Sequence, residues 1–418
     1  MVGNSLKRIS LEAVPGPEAR LIDRDVDTMA ARIIDDVRNR GEVALREWAE
    51  RFGERRSGEP LLLERGALKK AWSRIDTETA SLLERAHGRI AAFAAAQRAC
   101  LANLDVPVPG GRAGHEFVPV GRAGCYMPGG RYPLPSSALM TVSAAAAAGV
   151  PEIWCAGPQP TDCSLAAAYI ARAEGFLACG GAHGIAALAF GVVAPRCDTV
   201  VGPGGKYAAS AKRQLFGVVG TESPAGPSEL LIIAGSNANP RLASADLLAQ
   251  AEHDSDATPM IICQSEAFAN ALDLEIAAGL ATLPEKNAAT ASAALANGWL
   301  LVEDNFDRQC QAAERSAPEH LELMVDEPEM YARRIKSAGA VFLGYGSAEV
   351  MGDYGAGPNH TLPTGGAARF ASGLSVIHFL RARTWLKLDE PEKLAGDTAT
   401  FARLEGLEAH ARAAELRS

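Results

Sequence analysis

Four short stretches of this chain carry side chains that could bind a metal ion or transfer protons. The first is Gln250-Ala-Glu-His253, at the end of a predicted helix over residues 240–252. Residues three apart share a helical face, so Gln250 and His253 could offer an oxygen and a nitrogen to one ion. A helix end with polar groups facing solvent is the alternative for an isolated pair of this kind.

The second stretch is Pro318-Glu319-His320, at a predicted junction between a helix and a strand. Adjacent side chains on a strand diverge, so the two residues are expected to act on different atoms rather than on each other. An imidazole suits proton transfer near pH 7, and a carboxylate can activate water. The pair therefore predicts two separate acid–base steps.

The third and fourth stretches supply further nitrogen and oxygen ligands. The segment 352–360 holds three glycines and a proline, which favours an irregular loop that displays Asp353 and His360, with a simple turn as the alternative. Near the C-terminus, Glu405-Gly-Leu-Glu-Ala-His410 adds another carboxylate and imidazole. A set of Gln250, His253, Asp353 and His410 would contain no sulfur, which suits Zn²⁺ or Mn²⁺. Spacing alone does not show that the four converge.

Two glycine-rich loops could approach a phosphate. One begins Tyr126-Met-Pro-Gly-Gly and precedes a predicted helix; the other, Gly202-Pro-Gly-Gly-Lys206, follows a predicted strand and opens a helix. Neither matches the GxGxxG pattern with an acidic residue about twenty positions later. The spacing by itself therefore identifies no dinucleotide site.

The elements that would position these residues follow an α/β pattern. Apolar residues recur at helical spacing over 25–52 and 77–101, and beyond Gly110 short apolar runs alternate with helices. This alternation predicts parallel sheets covered by helices, in two α/β units divided near PAGPS. The tail after Thr384 is predicted to be helical, and its lack of core residues suggests that it docks on a second subunit.

Composition excludes several classes of protein. The 418 residues carry a net charge of −9 and no dense basic run, which argues against nucleic-acid binding. The most apolar stretch, 143–150, is too short to cross a membrane, and no signal or transit sequence is recognised at the start. The eight cysteines show no metal-type spacing and fit buried free thiols in a reducing compartment, so we expect a cytoplasmic protein.

Taken together and in order, these stretches resemble the histidinol dehydrogenase family. The matching segments, which span roughly residues 115 to 412, are YMPGGRYPLPSSALM, GGAHGIAALAFG, VGPGGKYAASAKRQLFG, PAGPSELLIIA, DLLAQAEHD, APEHLEL, GDYGAGPNHTLPTGGAARFASGLSV and LEGLEAHA.

The resemblance implies two incomplete Rossmann-like domains with small helical segments at both ends. A first α/β domain would combine residues 21–124 and 228–374, and a second, with the NAD-binding loops, would be formed by residues 125–227. Residues 1–20 would be an N-terminal segment, and 375–418 a helical tail. The chains would form a homodimer with shared active sites.

The resemblance also implies roles for individual residues. One Zn²⁺ per subunit, with Mn²⁺ as an alternative, would be held by Gln250, His253, Asp353 and His410, the last reaching into the partner's site. His320 would be the base for alcohol oxidation, and Glu319 would activate water for aldehyde oxidation, with two NAD reduced. The residues in contact with substrate would be Ser228, Gln250, His253, His320, Asp353, Glu405 and His410.

The sequence departs from the family pattern at the cofactor. Tyr126, one of three expected NAD contacts, is present, but His183 replaces a usual Gln and Gly205 a usual Asn. A histidine can still donate one hydrogen bond, and a glycine lets the backbone come closer to a phosphate. We expect weaker or differently placed NAD, since a lost hydrogen bond costs about 1 kcal/mol.

Three hypotheses about the reaction follow. The leading one is oxidation of L-histidinol to L-histidine. The second is oxidation of another small polar alcohol such as sulfopropanediol, whose sulfonate could pair with an arginine such as Arg131. The third is a non-catalytic binding protein, which would predict loss of metal and acid–base residues that are in fact all present.

Overall fold

The computed structural model describes residues 5–16, 23–129, 134–223 and 226–418. Arg131, which the second hypothesis uses, lies outside this range. Three sheets organise the described chain: one six-stranded, one five-stranded and one three-stranded. We call them sheet I, sheet II and sheet III.

Sheet I is entirely parallel. Its strands are β1 (Lys7–Arg8), β9 (Glu229–Ala234), β10 (Thr258–Cys263), β11 (Trp299–Val302), β12 (His320–Met324) and β13 (Ala340–Leu343). They lie in the order β1-β11-β10-β9-β12-β13. All six residues of β9 are buried, as expected for a central strand with helices on both faces.

Helices cover both faces of sheet I. They are α9 (Pro240–His253), α10 (Glu266–Leu280), α11 (Glu285–Leu295), α12 (Phe306–Ser316), α13 (Pro328–Arg334) and the short α14 (Glu349–Asp353). The sequence explains α9 well: the Asn239 side chain accepts the amide N–H of Arg241, and Pro240 takes the first helical position. This helix packs Leu247 and Leu248 into the core and ends at His253, beside the starts of the strands.

Sheet II is parallel apart from its edge strand β2. Its strands are β2 (Leu62–Glu64), β5 (Arg122–Tyr126), β6 (Glu152–Ala156), β7 (Gly175–Leu177) and β8 (Thr199–Val201), in the order β2-β7-β6-β5-β8. Its helices are α1 (Arg24–Arg40), α2 (Glu42–Arg51), α3 (Arg65–Trp72), α4 (Thr77–Ala99), α5 (Pro135–Ala148), α6 (Asp162–Ile170), α7 (Gly181–Phe190) and α8 (Lys206–Leu215).

The helices before residue 100 pack against sheet II. Ile33 and Leu45 join the cluster that contains Leu188, whereas Leu83 and Ile90 join the cluster around β5 and β6. The resemblance implies that residues 21–124 belong to the same domain as sheet I, but the apolar faces of these helices are buried on sheet II. The domain bounds themselves stay a prediction.

Sheet III links the middle of the chain to its end. Strands β3 (Leu104–Val108), β4 (Gly111–Pro119) and β14 (Leu380–Leu388) are antiparallel, with β4 in the centre. The prediction of a wholly helical tail over 375–418 is therefore wrong for 380–388. The strand conformation of residues 380–388 is set by pairing with β4, which lies over 260 positions earlier.

After a short 3₁₀ helix (Val376–Phe379) and β14, the end of the tail is helical. It consists of α15 (Glu392–Leu404) and α16 (Glu408–Glu415), which pack on each other through a small cluster that includes Ala399, Ala402 and Ala411. Within the described residues, no helix combines the length and apolar character needed to cross a membrane.

Candidate active site

The acid–base pair lies at the amino ends of the parallel strands of sheet I. Helix α12 ends with Ala317 in the left-handed conformation (φ 45°), after which Pro318 and Glu319 lead into β12 at His320. Gly339 is required opposite this turn, because a Cβ there would lie 2.6 Å from the carbonyl oxygen of Glu319. The turn therefore presents Glu319 and His320 beside the start of β9.

His320 is buried and its tautomer is fixed by one contact. Its Nδ1 lies 3.0 Å from the carbonyl oxygen of Glu229, and since a carbonyl only accepts, Nδ1 carries the hydrogen. Burial lowers the pKa of His320 to about 4, so the ring is neutral near pH 7. Its Nε2 is buried and has no hydrogen-bond partner among the described residues. This nitrogen holds a lone pair ready to accept a proton.

Glu319 is buried on the same strand edge. Its Oε2 accepts the amide N–H of Glu229 at 3.0 Å and lies 3.7 Å from Nδ1 of His320. Burial, reinforced by nearby acidic groups, raises the pKa of Glu319 well above its usual range. Once ionised, such a carboxylate is a stronger base than one in water.

Three metal-ligating side chains converge near this pair. The ligand atoms of His253, Glu349 and Asp353 all lie within 4.8 Å of one another. His253 comes from the end of α9 and is 32% exposed, whereas Asp353 ends α14 and is largely buried, with 3.6 Å between His253 Nε2 and Asp353 Oδ2. The predicted convergence of these two residues is thus seen in the geometry.

Gln250 contacts the same group through Glu349, a residue that the sequence reasoning missed. Its fully buried amide faces both carboxylate oxygens of Glu349, so its NH₂ group donates to them at 3.0 and 3.1 Å. In this orientation the amide oxygen could serve as a ligand atom. Glu349 follows no motif of its own; only its place four residues before Asp353, on the same helical face, could have indicated it.

Buried acidic groups position α14. The amide N–H of Glu349, at the start of this helix, donates to the carboxyl group of Glu322 on β12. Burial raises the pKa of Glu322 to about 8 and that of Asp246, which hydrogen-bonds to it, to about 6. Burial also raises the pKa of Glu349 well above its usual range. Carboxyl groups packed this closely repel one another when ionised. The cluster therefore favours either carboxyl groups that share a proton or the binding of a cation.

The loop after α14 closes the site. His360 donates from Nδ1 to the carbonyl oxygen of Asp353 at 3.1 Å, and its pKa is lowered by burial. The Asn359 amide donates to the carbonyl oxygen of Met140 at 2.8 Å, which ties this loop to α5. Together with His320 and Asp353, the loop lines a cavity of about 420 Å³.

The remaining substrate and metal residues are not in this cluster. Ser228 is half-buried just before β9, and its carbonyl oxygen accepts the amide N–H of Thr258. Glu405 and His410 lie exposed on the helical tail, and His410 does not join the group of His253, Glu349 and Asp353.

The predicted cofactor residues lie at the carboxyl ends of sheet II. Tyr126 ends β5, and its hydroxyl accepts the amide N–H of Gly181 at 2.8 Å. Gly205 precedes α8 and has open space around the position of a Cβ. The strand order reverses between β5 and β8, which is where open α/β sheets bind ligands.

His183 is enclosed rather than open to the cofactor. It is 1% exposed, its Nε2 donates to Glu54 at 2.8 Å, and Phe52 stacks on its ring with 5.5 Å between centroids. The Nδ1 atom is buried and has no hydrogen-bond partner in the described chain. Sequence spacing could not reveal Glu54, which lies 129 positions away.

A buried ion pair shapes the loop after β8. Lys212 donates to the carboxylate of Glu222 and to the carbonyl oxygen of Gly202, and the same carboxylate accepts the Gly202 amide. Gly202 has a φ of 126°, and a Cβ there would lie 2.0 Å from the carbonyl oxygen of Tyr126. The loop after β8 is therefore held close to Tyr126 at the end of β5, on the two sides of the point where the strand order reverses.

These features define an α/β protein in which a buried Glu–His pair lies next to nitrogen- and oxygen-bearing side chains that could hold a metal ion. The family model described as histidinol dehydrogenase matches residues 18–418. The chain therefore belongs to the histidinol dehydrogenase family, and it is an oxidoreductase of that type.

Three relatives illustrate the similarity. The chain is 40% identical over 401 residues to the histidinol dehydrogenase of Thermus thermophilus, covering 94% of this chain and 95% of the relative. It is 39% identical over 414 residues to a histidinol dehydrogenase homolog of Ruegeria pomeroyi, covering 96% and 94%. The crystal structure of histidinol dehydrogenase from Elizabethkingia anophelis superimposes with a TM-score of 0.91 at 29% identity, covering 100% of this chain and 98% of that one.

Proposed function

We propose that the protein catalyses the zinc-dependent, NAD-linked oxidation of L-histidinol to L-histidine, the last step of histidine biosynthesis. Overall, the alcohol, two NAD⁺ and one water would give the carboxylate, two NADH and three protons. The observation that carries the proposal is the buried Nε2 of His320, a lone pair without a partner in the described chain, next to metal-type ligands and a second basic group.

His320 acts in the first oxidation. The substrate hydroxyl donates its proton to Nε2 of His320, and the C–H bond gives up a hydride, which leaves histidinaldehyde bound. The Nδ1 hydrogen bond to Glu229 stabilises the ring as the proton arrives, because Nδ1 remains a donor to the carbonyl oxygen. Positioned bases of this kind contribute roughly 10²–10⁴-fold to the rate.

Glu319 acts in the second oxidation. The ionised carboxylate removes a proton from a water molecule as the water adds to the aldehyde carbon, and the hydrate then loses the second hydride. The amide of Glu229 holds the carboxylate in place at 3.0 Å. The turn that leads into β12 thus provides two bases: His320 for the alcohol and Glu319 for water.

The donor set fits a zinc ion. We propose as ligands the amide oxygen of Gln250, an imidazole nitrogen of His253, a carboxylate oxygen of Asp353 and His410 of the partner subunit. Zinc, when bound, supplies a Lewis acid that orients the substrate, and NAD, when bound, accepts the hydrides. In this arrangement Glu349 orients Gln250 through the two contacts to its amide.

The tail supports a homodimer with shared sites. Its helices bury a small alanine cluster of their own, while Phe401 is 64% and Leu404 80% exposed. Apolar side chains this exposed fit a surface covered by another chain. Glu405 and His410, both exposed, would enter the partner's site from this tail.

One comparison supports a second substrate class. The relative from Ruegeria pomeroyi, named only as a homolog, is as similar to this chain as named histidinol dehydrogenases are. A paralogue acting on another small polar alcohol, such as sulfopropanediol, would use the same acid–base pair and metal ligands.

One assay separates these possibilities. Purified protein with zinc and NAD should form two NADH per L-histidinol, measured by absorbance. Turnover of sulfopropanediol alone would overturn the histidinol assignment and support the paralogue. Zinc binding without turnover of either alcohol would support a non-catalytic binding protein.

A further inference from the structure

A single peptide group connects the end of α14 to helix α4. The carbonyl oxygen of Gly355 accepts a hydrogen bond from Nε of Arg89, which lies on α4. The amide N–H of Ala356, in the same peptide group, donates to the carbonyl oxygen of Met351 at 3.2 Å. Asp353 lies between Met351 and this peptide in the chain. The Gly355–Ala356 peptide is therefore held by α4 on one side and by α14 on the other.

The loop lies directly on one face of α4. A Cβ at Gly355 would lie 3.1 Å from Cβ of Ala86, and Gly355 is buried. A Cβ at Gly357, which is also buried, would lie 3.2 Å from Cβ of Phe93. Ala86, Arg89 and Phe93 are three and four residues apart, so they share one face of the helix. Arg89 is the polar group of this contact.

Arg89 provides a donor for a carbonyl group that the contact removes from water. A buried carbonyl group without a donor costs free energy, so loss of the Arg89 donor would favour movement of Gly355 toward solvent. The helix itself is fixed, because Leu83 and Ile90 are buried in the core of sheet II. The loop, rather than α4, would therefore shift.

The other end of this connection carries a proposed metal ligand. Oδ2 of Asp353 lies 3.6 Å from Nε2 of His253, and the carbonyl oxygen of Asp353 accepts a hydrogen bond from Nδ1 of His360 at 3.1 Å. Helix α14 has only five residues, so few hydrogen bonds of its own fix its end. The position of Asp353 therefore depends on contacts from outside the helix.

We propose that Arg89 is a positioning residue for the zinc site. By holding the Gly355–Ala356 peptide on α4, it fixes the end of α14 so that the carboxylate of Asp353 faces His253. The inference rests on the proposed function and deepens it, because it makes a helix of sheet II determine part of the metal geometry. Arg89 itself contacts neither the metal nor the substrate in this role.

Two variants of Arg89 separate its hydrogen bond from its charge. Nε2 of a glutamine is as many bonds from the backbone as Nε of an arginine, so Arg89→Gln keeps the donor and loses the charge. Arg89→Met places a methyl group at the same point and loses both. Arg85→Met, one turn earlier on α4 and also exposed, is the matched control. Urea unfolding of the metal-free proteins checks that each variant folds.

Two measurements on the full-length protein test the proposal. Equilibrium dialysis gives the affinity for Zn²⁺, and the visible absorption of bound Co²⁺ reports the coordination geometry. We expect Arg89→Met to weaken zinc binding about tenfold and to change the cobalt spectrum, as for other residues that orient a ligand indirectly. Arg89→Gln and Arg85→Met should keep the wild-type spectrum and an affinity within about twofold of the wild type.

Three results would overturn the proposal. The first is a zinc affinity and a cobalt spectrum of Arg89→Met that equal those of the wild type. The second is a loss of zinc affinity in Arg89→Gln as large as in Arg89→Met, since the charge rather than the hydrogen bond would then matter. The third is a wild type that binds neither ion, which would remove the zinc site and the role of Arg89 together.

These outcomes are distinct from failure of the oxidation. If L-histidinol gives no NADH while zinc and cobalt respond to the variants as expected, the proposed reaction fails and the role of Arg89 stands. If NADH forms normally while Arg89→Met changes neither metal measurement, the role of Arg89 fails and the reaction stands.

Discussion

The Nδ1 atom of His320 lies 3.0 Å from the carbonyl oxygen of Glu229, and this contact determines which ring nitrogen can take a proton. The Glu229 amide meanwhile donates to Glu319. One peptide segment at the start of β9 therefore orients both members of the acid–base pair. The consequences can be tested residue by residue.

Replacing His320 with Gln removes the base for the first oxidation. We expect kcat with L-histidinol to fall about 10²–10⁴-fold, with little change in zinc affinity. The matched control is His115→Gln in sheet III, which should retain full activity. A variant with near-normal kcat would contradict the role given to His320.

The buried His320 also makes stability depend on pH. Its pKa is lowered from 6.5 to about 4, so the unfolded chain binds the proton more readily. Its contribution is complete above pH 6.5 and is lost as the pH falls toward 4, by about 2 kcal/mol at pH 5. Urea unfolding should show that zinc-free wild type loses this much more stability between pH 7 and 5 than His320→Gln. Equal losses in both proteins would contradict the shift.

Substitutions near α14 should distinguish residues that bind zinc directly from residues that only position a ligand. We expect zinc affinity to fall most in His253→Asn and Asp353→Asn, and about 10–100-fold in Glu349→Gln, because this residue acts through Gln250. Equilibrium dialysis with zinc measures the three affinities. Asp326→Asn, just after the carboxyl end of β12, is the control. A loss in Glu349→Gln as large as in Asp353→Asn would instead identify Glu349 as a ligand.

Mixing inactive subunits tests the role of the tail. His410→Ala and His320→Gln should each be inactive, yet a dimer that contains one of each has one intact site of two. An equal mixture, in which about half of the dimers are mixed, should therefore regain up to about a quarter of the activity. The regained activity is measured after denaturing and refolding the mixture. Activity absent from the mixture, or an active His410→Ala variant, would contradict a shared site.

The buried Lys212–Glu222 pair should be costly to break from one side. Lys212→Met leaves the Glu222 charge buried without its partner and is expected to destabilise the protein by about 3–5 kcal/mol in urea unfolding. Lys212→Met combined with Glu222→Leu should recover part of this loss. A double variant less stable than the single one would show that the pair contributes more than charge compensation.

Sequence patterns predicted much of this molecule. The alternation of apolar runs and helices predicted the parallel sheets, and the helical spacing over 25–52 is occupied by α1 and α2. The resemblance correctly identified the family. The roles that the resemblance implies for Glu319, His320 and the four metal ligands stay predictions. The geometry supports them for the residues that lie near α14.

Long-range contacts limited the rest. The strand β14 forms by pairing with β4, and Glu54 reaches His183 across 129 positions, so neither is visible in local spacing. Glu349 lay in the same short helix as Asp353, yet its contact with Gln250 depends on how α9 and α14 pack. Patterns of period two or 3.6 describe an element but not its neighbours.

The proposed reacting groups and the predicted cofactor loops belong to different sheets and to opposite strand ends. Glu319 and His320 begin a strand of sheet I, whereas Tyr126 ends a strand of sheet II. A replacement at His183 or Gly205 therefore leaves the proton-transfer geometry untouched. The two halves can diverge at separate rates in evolution, and coenzyme preference can drift in a lineage while its chemistry is preserved.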